Sequence, residues 1–136
     1  MIRCRLYLRI GAMVAGIMYI VKRKDDSIDY NSFIFRLMAA DVMDMDRSGD
    51  MALFMKTLIN GGAKKIVVDM DGLEFIDSAG ISVLIDAAKM VRNNEGDLAL
   101  LRVPQRIQTI FQPIKLNRFI RMFENEEEAI SFFRMV

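Results

Sequence analysis

The chain has 136 residues, of which 53% are hydrophobic and 27% are charged, and its formal net charge is +1. This composition is typical of one globular domain with a buried core and excludes a wholly disordered chain. The sequence has no His and a single Cys, Cys4, which excludes Ser-His-Asp triads, His-based metal sites and an internal disulfide, and fits a reducing cytoplasm.

The net charge is an average over two unlike parts of the chain. Residues 1–24 carry six basic residues and no acidic one, whereas residues 25–136 carry 13 basic and 18 acidic residues. The larger part is therefore mildly acidic. It gives no support for nucleic-acid binding, which needs clustered Lys and Arg.

The basic N-terminal part contains an apolar run at residues 10–21. As a helix this run would span about 18 Å, short of the roughly 30 Å hydrocarbon core of a membrane, so no transmembrane helix is expected. A secretory signal also fits poorly, because no A-x-A-like cleavage site follows the run. We interpret residues 1–17 as an uncertain basic and apolar leader or a mis-assigned start, and prefer a reading frame that begins at Met18.

From residue 18 onward, hydrophobic patterning predicts alternating strands and helices. Strands at residues 18–21 and 33–37, with a polar turn at 22–30 between them, suggest a hairpin. A helix is predicted from Ser48 to the glycine pair at 61–62, because apolar residues recur there at i, i+3, i+4, i+7 and i+8. Residues 66–68 predict a buried strand that ends at Asp69, and a turn follows at 71–72.

The second half repeats this alternation. A helix is predicted to begin directly after Asp77 and Ser78 and to end near residues 93–94, and residues 98–103 predict the next strand. Pro104 is expected at the first position of a third helix, which is not expected to continue past Gln112. Residues 120–123 predict a last strand, and Asn125 predicts the start of a last helix. The order predicts an α/β fold, a single domain with a mixed β-sheet of about five strands and about four α-helices.

The segment at residues 66–80, IVVDMDGLEFIDSAG, is the most informative for function. It runs from a buried strand through an acidic turn and an apolar pair to the tetrapeptide DSAG at a helix start. This order places the Ser78 hydroxyl on an exposed loop beside free backbone N–H groups, which favour an added phosphate. The simpler interpretation is that Asp77 or Ser78 only caps the helix.

The same segment resembles the STAS domain family, in particular the bacterial anti-sigma factor antagonists. Residues 64–70 and 73–81 are similar to the family's strand, loop and D-S-[AS]-G-hydrophobic signature, and the resemblance covers residues 18–136. It implies an α/β STAS domain at 18–136 in which Ser78 is the phosphorylated serine. It also implies a phosphorylation loop and partner contact formed by Asp77, Ala79, Gly80, Phe75 and Ile76.

The resemblance implies a binding protein rather than an enzyme. In the family, the unphosphorylated antagonist binds an anti-sigma factor, a serine protein kinase of the histidine-kinase-like ATPase fold, and thereby frees a sigma factor. The kinase phosphorylates the serine and ends the association, and a serine phosphatase reverses the modification. No catalytic residue, metal, cofactor, nucleic-acid partner or stable membrane insertion is expected, and the expected location is the bacterial cytoplasm.

Two other functions are compatible with the sequence. The first is a STAS-type scaffold or interaction module of a transport or stress-sensing assembly. The second is a haloacid-dehalogenase-type phosphatase, because Asp69 and Asp71 resemble the D-x-D-G start of that class, with Asp69 as nucleophile and Asp71 as general acid and base. Leu73 stands where that class of phosphatase has Thr. The chain that follows Asp69 is also too short to form the rest of the β-sheet that such a phosphatase has.

Overall fold

The computed structural model of the protein describes residues 2–6, 13–20 and 33–134. In these residues eight strands and five helices follow one another along the chain. Their bounds are β1 (Ile2–Leu6), β2 (Met13–Ile20), β3 (Phe33–Ala39), β4 (Val42–Met43), α1 (Met45–Asn60), β5 (Lys65–Asp69), β6 (Phe75–Ile76), α2 (Ser78–Asn93), β7 (Asp97–Leu101), α3 (Gln105–Phe111), α4 (Leu116–Phe119), β8 (Arg121–Phe123) and α5 (Glu126–Arg134).

The main sheet is mixed, with six strands in the order β1-β2-β3-β5-β7-β8. Strands β1, β2 and β3 pair antiparallel, and β3, β5, β7 and β8 pair in parallel. A separate two-stranded parallel sheet is formed by β4 and β6. The predicted α/β class with a mixed sheet is confirmed, and the structure adds one strand to the main sheet, one short helix, and the small second sheet.

Helices cover both faces of the main sheet, so the parallel strands in its centre are buried. Every residue of β5 is buried, as expected for a parallel strand with both faces covered. One hydrophobic cluster lies between the sheet and α1 to α4, and includes Met55, Leu84 and Phe111. A second, smaller cluster lies beneath α5 and includes Tyr19 and Phe133.

The N-terminal strands differ from the sequence prediction. The first strand is predicted at residues 18–21, after a leader or mis-assigned start, whereas β2 begins at Met13 and β1 pairs with it. The predicted hairpin is confirmed by the antiparallel pairing of β2 with β3, and its turn at 22–30 lies outside the described residues. That the native protein starts at Met18 stays a prediction.

Two helix boundaries also differ, and the structure has one helix that the sequence does not predict. Helix α1 begins at Met45 rather than Ser48, because Asp44 caps it by accepting a hydrogen bond from the Arg47 N–H at 3.2 Å. Pro104 is the N-cap residue of α3 rather than its first residue, with an extended ψ of 149°. The one-turn helix α4 was not predicted, because it follows Lys115 in a left-handed conformation, with a φ of 56°, that apolar spacing does not indicate.

Candidate functional site

The small sheet places the starts of two helices side by side. In it Val42 pairs with Phe75 and Met43 with Ile76, and a helix follows each strand within two residues. The Asp77 N–H donates to the Met43 carbonyl at 3.1 Å, which extends this pairing to the start of α2. Because the two strands are parallel, the N-termini of α1 and α2 lie together at one end of the domain.

A single carboxylate accepts hydrogen bonds from the first turns of both helices. Asp77 is the N-cap residue of α2, and its Oδ1 accepts a hydrogen bond from the Gly80 N–H at 3.0 Å. Its Oδ2 accepts a hydrogen bond from the N–H of Met45, the first residue of α1, at 2.9 Å. The Gly80 N–H and, to a lesser degree, the Met45 N–H hold the pKa of the Asp77 carboxyl below its usual range. The charged form of Asp77 therefore ties the two helix starts together.

Ser78 lies directly after this cap, as the first residue of α2, and is exposed to solvent. Both interpretations of the DSAG segment thus have a physical basis here, since Asp77 provides the cap and Ser78 stays outside it. Of the other residues assigned to the phosphorylation loop, Phe75 is exposed, Ala79 is half-buried, and Ile76 and Gly80 are buried.

Gly80 packs closely against the small sheet. A Cβ atom added there would overlap the backbone carbonyl oxygen of Met43 and lie 2.9 Å from Cγ1 of Ile76. Only glycine therefore lets the first turn of α2 lie against β4. This steric requirement accounts for the glycine two residues after Ser78.

The surface around Ser78 is acidic with an apolar component. Two large apolar side chains, Met45 and Phe75, are exposed beside the Asp77 cap. Besides the exposed Arg47, the flanking loops and the first two turns of α1 carry five exposed acidic residues. They are Asp41, Asp46, Asp50, Asp71 and Glu74.

Asp69, the nucleophile of the phosphatase interpretation, is not placed for attack. Its side chain is 1% exposed and forms an ion pair with Arg36. It also accepts hydrogen bonds from Arg102 at 3.4 Å and from the Asp71 N–H at 3.1 Å. A carboxylate enclosed by these three donors lacks the access that a phosphate ester requires. Among the described residues, no group of three Cys, Asp or Glu side chains is arranged to hold a metal ion.

The Arg36–Asp69 pair belongs to a buried polar network that the sequence analysis did not identify. Arg36, in the middle of β3, also pairs with Glu126 at the start of α5 and donates to the Tyr19 hydroxyl at 3.4 Å. Burial raises the pKa of Tyr19. The network fixes α5 on the sheet, and its only signal in the sequence is an Arg within the otherwise apolar strand β3.

Two comparisons at the level of sequence point to one family. The family model of the STAS domain matches residues 19–129. A protein of Bordetella bronchiseptica, BtrV, named as a candidate anti-sigma factor antagonist, is 29% identical over 73 residues. The match covers 52% of this chain and 60% of BtrV, so the chain spans less than two thirds of that relative.

Solved structures show the same fold. A candidate anti-sigma factor antagonist of Thermotoga maritima superposes with a TM-score of 0.68 at 21% identity, over 86% of this chain and 92% of that one. The anti-sigma factor antagonist SpoIIAA in its unphosphorylated form superposes with a TM-score of 0.60 at 19% identity, over 88% of this chain and 97% of that one. SpoIIAA is also solved in a phosphorylated form, which has a TM-score of 0.56 at 23% identity, over 77% of this chain and 93% of that one.

Proposed function

Because the chain belongs to the STAS domain family, we propose that it is an anti-sigma factor antagonist whose partner binding is controlled by phosphorylation of Ser78. The observation that carries the proposal is the position of Ser78, exposed at the first residue of α2 and directly after the Asp77 cap. A kinase can reach this hydroxyl without unfolding the helix. The relatives and structural neighbours described above support the antagonist role.

A phosphate at Ser78 is compatible with the folded domain. It would lie at the N-terminus of α2, with that of α1 close by, and backbone N–H groups and helix dipoles favour an anion there by about 0.3–1 kcal/mol. The modification would therefore act on partner binding rather than on the fold.

The surface around Ser78 explains how a phosphate would end an association. Phosphorylation adds about −1.5 to −2 charges to a surface that is already acidic. A like charge about 4 Å away costs roughly 1 kcal/mol in water and about 4 kcal/mol at an effective dielectric constant of 20. A partner docked over Met45 and Phe75 would exclude water from the phosphate and Asp77, and the repulsion between these two negative groups would then increase. We expect the affinity to fall at least about a hundredfold, since each 1.4 kcal/mol is a factor of ten.

The proposed partner is an anti-sigma factor that is a serine kinase of the histidine-kinase-like ATPase fold, and a serine phosphatase resets the site. The protein is then a substrate and a binding module in the bacterial cytoplasm, without catalysis of its own. None of the helices within residues 33–134 is long and apolar enough to cross a membrane.

The test is phosphorylation and binding with a purified anti-sigma kinase from the same bacterium. Phosphopeptide mass spectrometry should locate the phosphate on Ser78, and a Ser78→Ala variant should take up none. In titration calorimetry Ser78→Ala should bind like the unmodified protein, and Ser78→Asp at least about a hundredfold more weakly. Ser131→Asp, at an exposed serine of α5, is the matched control and should bind normally. Equal binding of Ser78→Ala and Ser78→Asp would refute the proposal.

A further inference from the structure

A second surface combines exposed isoleucines with basic side chains. It is formed by α3, α4 and the turn between them, and we call it the α3–α4 patch. Its isoleucines, Ile110 and Ile114, are 40% and 53% exposed. Its basic residues, Arg106, Lys115 and Arg118, are exposed as well.

The α3–α4 patch lies in a stretch of the chain that is unlike its surroundings in charge. Residues 98–123 contain five basic residues and no acidic one, whereas residues 33–97 and 124–134 together contain 8 basic and 15 acidic residues. Three of these five residues, Arg106, Lys115 and Arg118, belong to the α3–α4 patch, which therefore carries basic charge and no acidic residue. Such a distribution attracts an anionic surface.

The basic side chains of the patch form no ion pairs among the described residues. Within residues 2–6, 13–20 and 33–134, no carboxylate lies within ion-pair distance of Arg106, Lys115 or Arg118. The hydrogen bond of Arg106 is a long one, 3.4 Å to the Leu73 carbonyl. These charges are free to meet an external anion.

The turn at the centre of the patch is exposed throughout. Four consecutive residues of the turn, 112–115, are all exposed, and Lys115 reverses the chain in the left-handed conformation. The cavity beside the turn, between Phe111 and Met122, has a volume of about 90 Å³, well below the roughly 300–1,000 Å³ of a ligand pocket. An exposed turn that carries Ile114 beside Lys115, with no ligand-sized pocket next to it, fits a flat, deformable surface better than a grooved one.

We propose that the α3–α4 patch binds reversibly to anionic membrane surfaces. Ile110 and Ile114 enter the boundary between head groups and acyl chains, and the basic side chains remain at the level of the anionic head groups. A lipid surface needs no fixed ion-pair geometry, which matches the unpaired state of these side chains. An acidic protein would instead require a complementary groove for the turn.

The experiment is flotation of the full chain with lipid vesicles. The protein should float with vesicles of phosphatidylcholine containing 30% phosphatidylglycerol, and should stay behind with phosphatidylcholine alone. Raising the salt from 0.1 to 0.5 M should release it, because the charges are then screened. The double variant Lys115→Glu/Arg118→Glu should bind at least about tenfold more weakly, since each basic residue contributes to attraction. Ile110→Ser/Ile114→Ser should weaken binding as well.

The control is to make the same kinds of substitution at exposed residues outside the α3–α4 patch. Leu53 is 63% exposed on α1, and Lys56 is exposed one turn later. The variants Leu53→Ser and Lys56→Glu remove equivalent groups on the acidic side, and should bind vesicles like the unmodified protein. A patch variant that binds equally well would overturn the proposal, because the basic residues at 1–24 would then carry the binding.

A second measurement does not depend on loss of binding. In a Cys4→Ser background, an environment-sensitive dye attached at Ile114→Cys should brighten on addition of the anionic vesicles, and the same dye at Leu53→Cys should not. A dye at residue 114 that does not respond would count against the proposal. Binding to polyglutamate without binding to anionic vesicles would also overturn it and would indicate an acidic protein partner.

Discussion

Replacement of Gly80 by Ala tests the close contact between α2 and the small sheet. The added Cβ would overlap the Met43 carbonyl oxygen and lie 2.9 Å from Cγ1 of Ile76. Met43 is fully buried, and its carbonyl accepts the hydrogen bond from Asp77. Because the obstacle is backbone rather than a flexible side chain, β4 and the first turn of α2 must move apart.

The magnitude follows from two opposing effects. Ala is favoured over Gly in a helix by up to about 1 kcal/mol, and insertion of a methyl group into a well-packed site costs about 1–3 kcal/mol. Because the overlap is with backbone atoms, we expect the steric cost at the upper end, about 2–3 kcal/mol, so that Gly80→Ala lowers the free energy of unfolding by about 1–2 kcal/mol. The corresponding fall in Tm is about 3–8 °C for a domain of this size.

Gly49 provides the matched control, because it is also helical but has no atom within 4 Å of an added Cβ. Gly49→Ala should therefore raise the free energy of unfolding, by about 0.5–1 kcal/mol. Urea unfolding followed by circular dichroism gives both values. If Gly80→Ala is as stable as the unmodified protein, or if both variants shift in the same direction, the steric argument is wrong.

Two further predictions concern charged groups. Arg36→Met should lower the free energy of unfolding by about 3–5 kcal/mol, because it leaves the Asp69 carboxylate buried without its main partner. Glu126→Gln, at the half-exposed end of the same network, should lower the free energy of unfolding by about 1 kcal/mol or less. Equal losses in urea unfolding of the two variants would contradict this order. Because the pKa of Asp77 is lowered in the folded protein, its carboxylate contributes to the free energy of unfolding. This contribution is complete above the pKa of about 3.9 that Asp has in the unfolded chain, and it is lost as the pH falls through the pKa of the folded state. In urea titrations the difference in midpoint between the unmodified protein and Asp77→Ala should therefore be constant from pH 5 to 7 and should shrink below about pH 4. A difference that does not shrink as the pH falls from 5 to 2 would contradict this.

The sequence predicts the long elements well because their apolar spacing is regular over several turns or residues. Helix α2 and strands β5 and β7 lie within a few residues of their predicted places. Strands β4 and β6 have two residues each, too few for any periodicity to appear. The predicted start of α1, Ser48, lies three residues after the observed start at Met45, because the apolar stripe begins only at Met51. Asp44 is nevertheless a residue type that caps helices.

In the candidate site, too, the sequence predicts the features that depend on neighbouring residues, and does not predict the contacts between residues far apart in the chain. A cap and an exposed Ser at residues 77–78 are local features, and the segment itself indicates them. The hydrogen bond from Met45 to Asp77 joins residues 32 positions apart and depends on the pairing of β4 with β6. The pairs of Arg36 with Asp69 and Glu126 span 33 and 90 positions, so only the folded chain brings them together.

The small sheet has a consequence for when the Ser78 surface exists. Its two strands are separated by the whole of α1 and β5, so they meet only after the chain has closed a long loop. A nascent or partly unfolded chain contains the same residues around Ser78 but neither the shared helix cap nor the neighbouring Met45. A partner that recognises this surface would therefore bind only chains that have finished folding, and incompletely folded chains would not contribute to the active population.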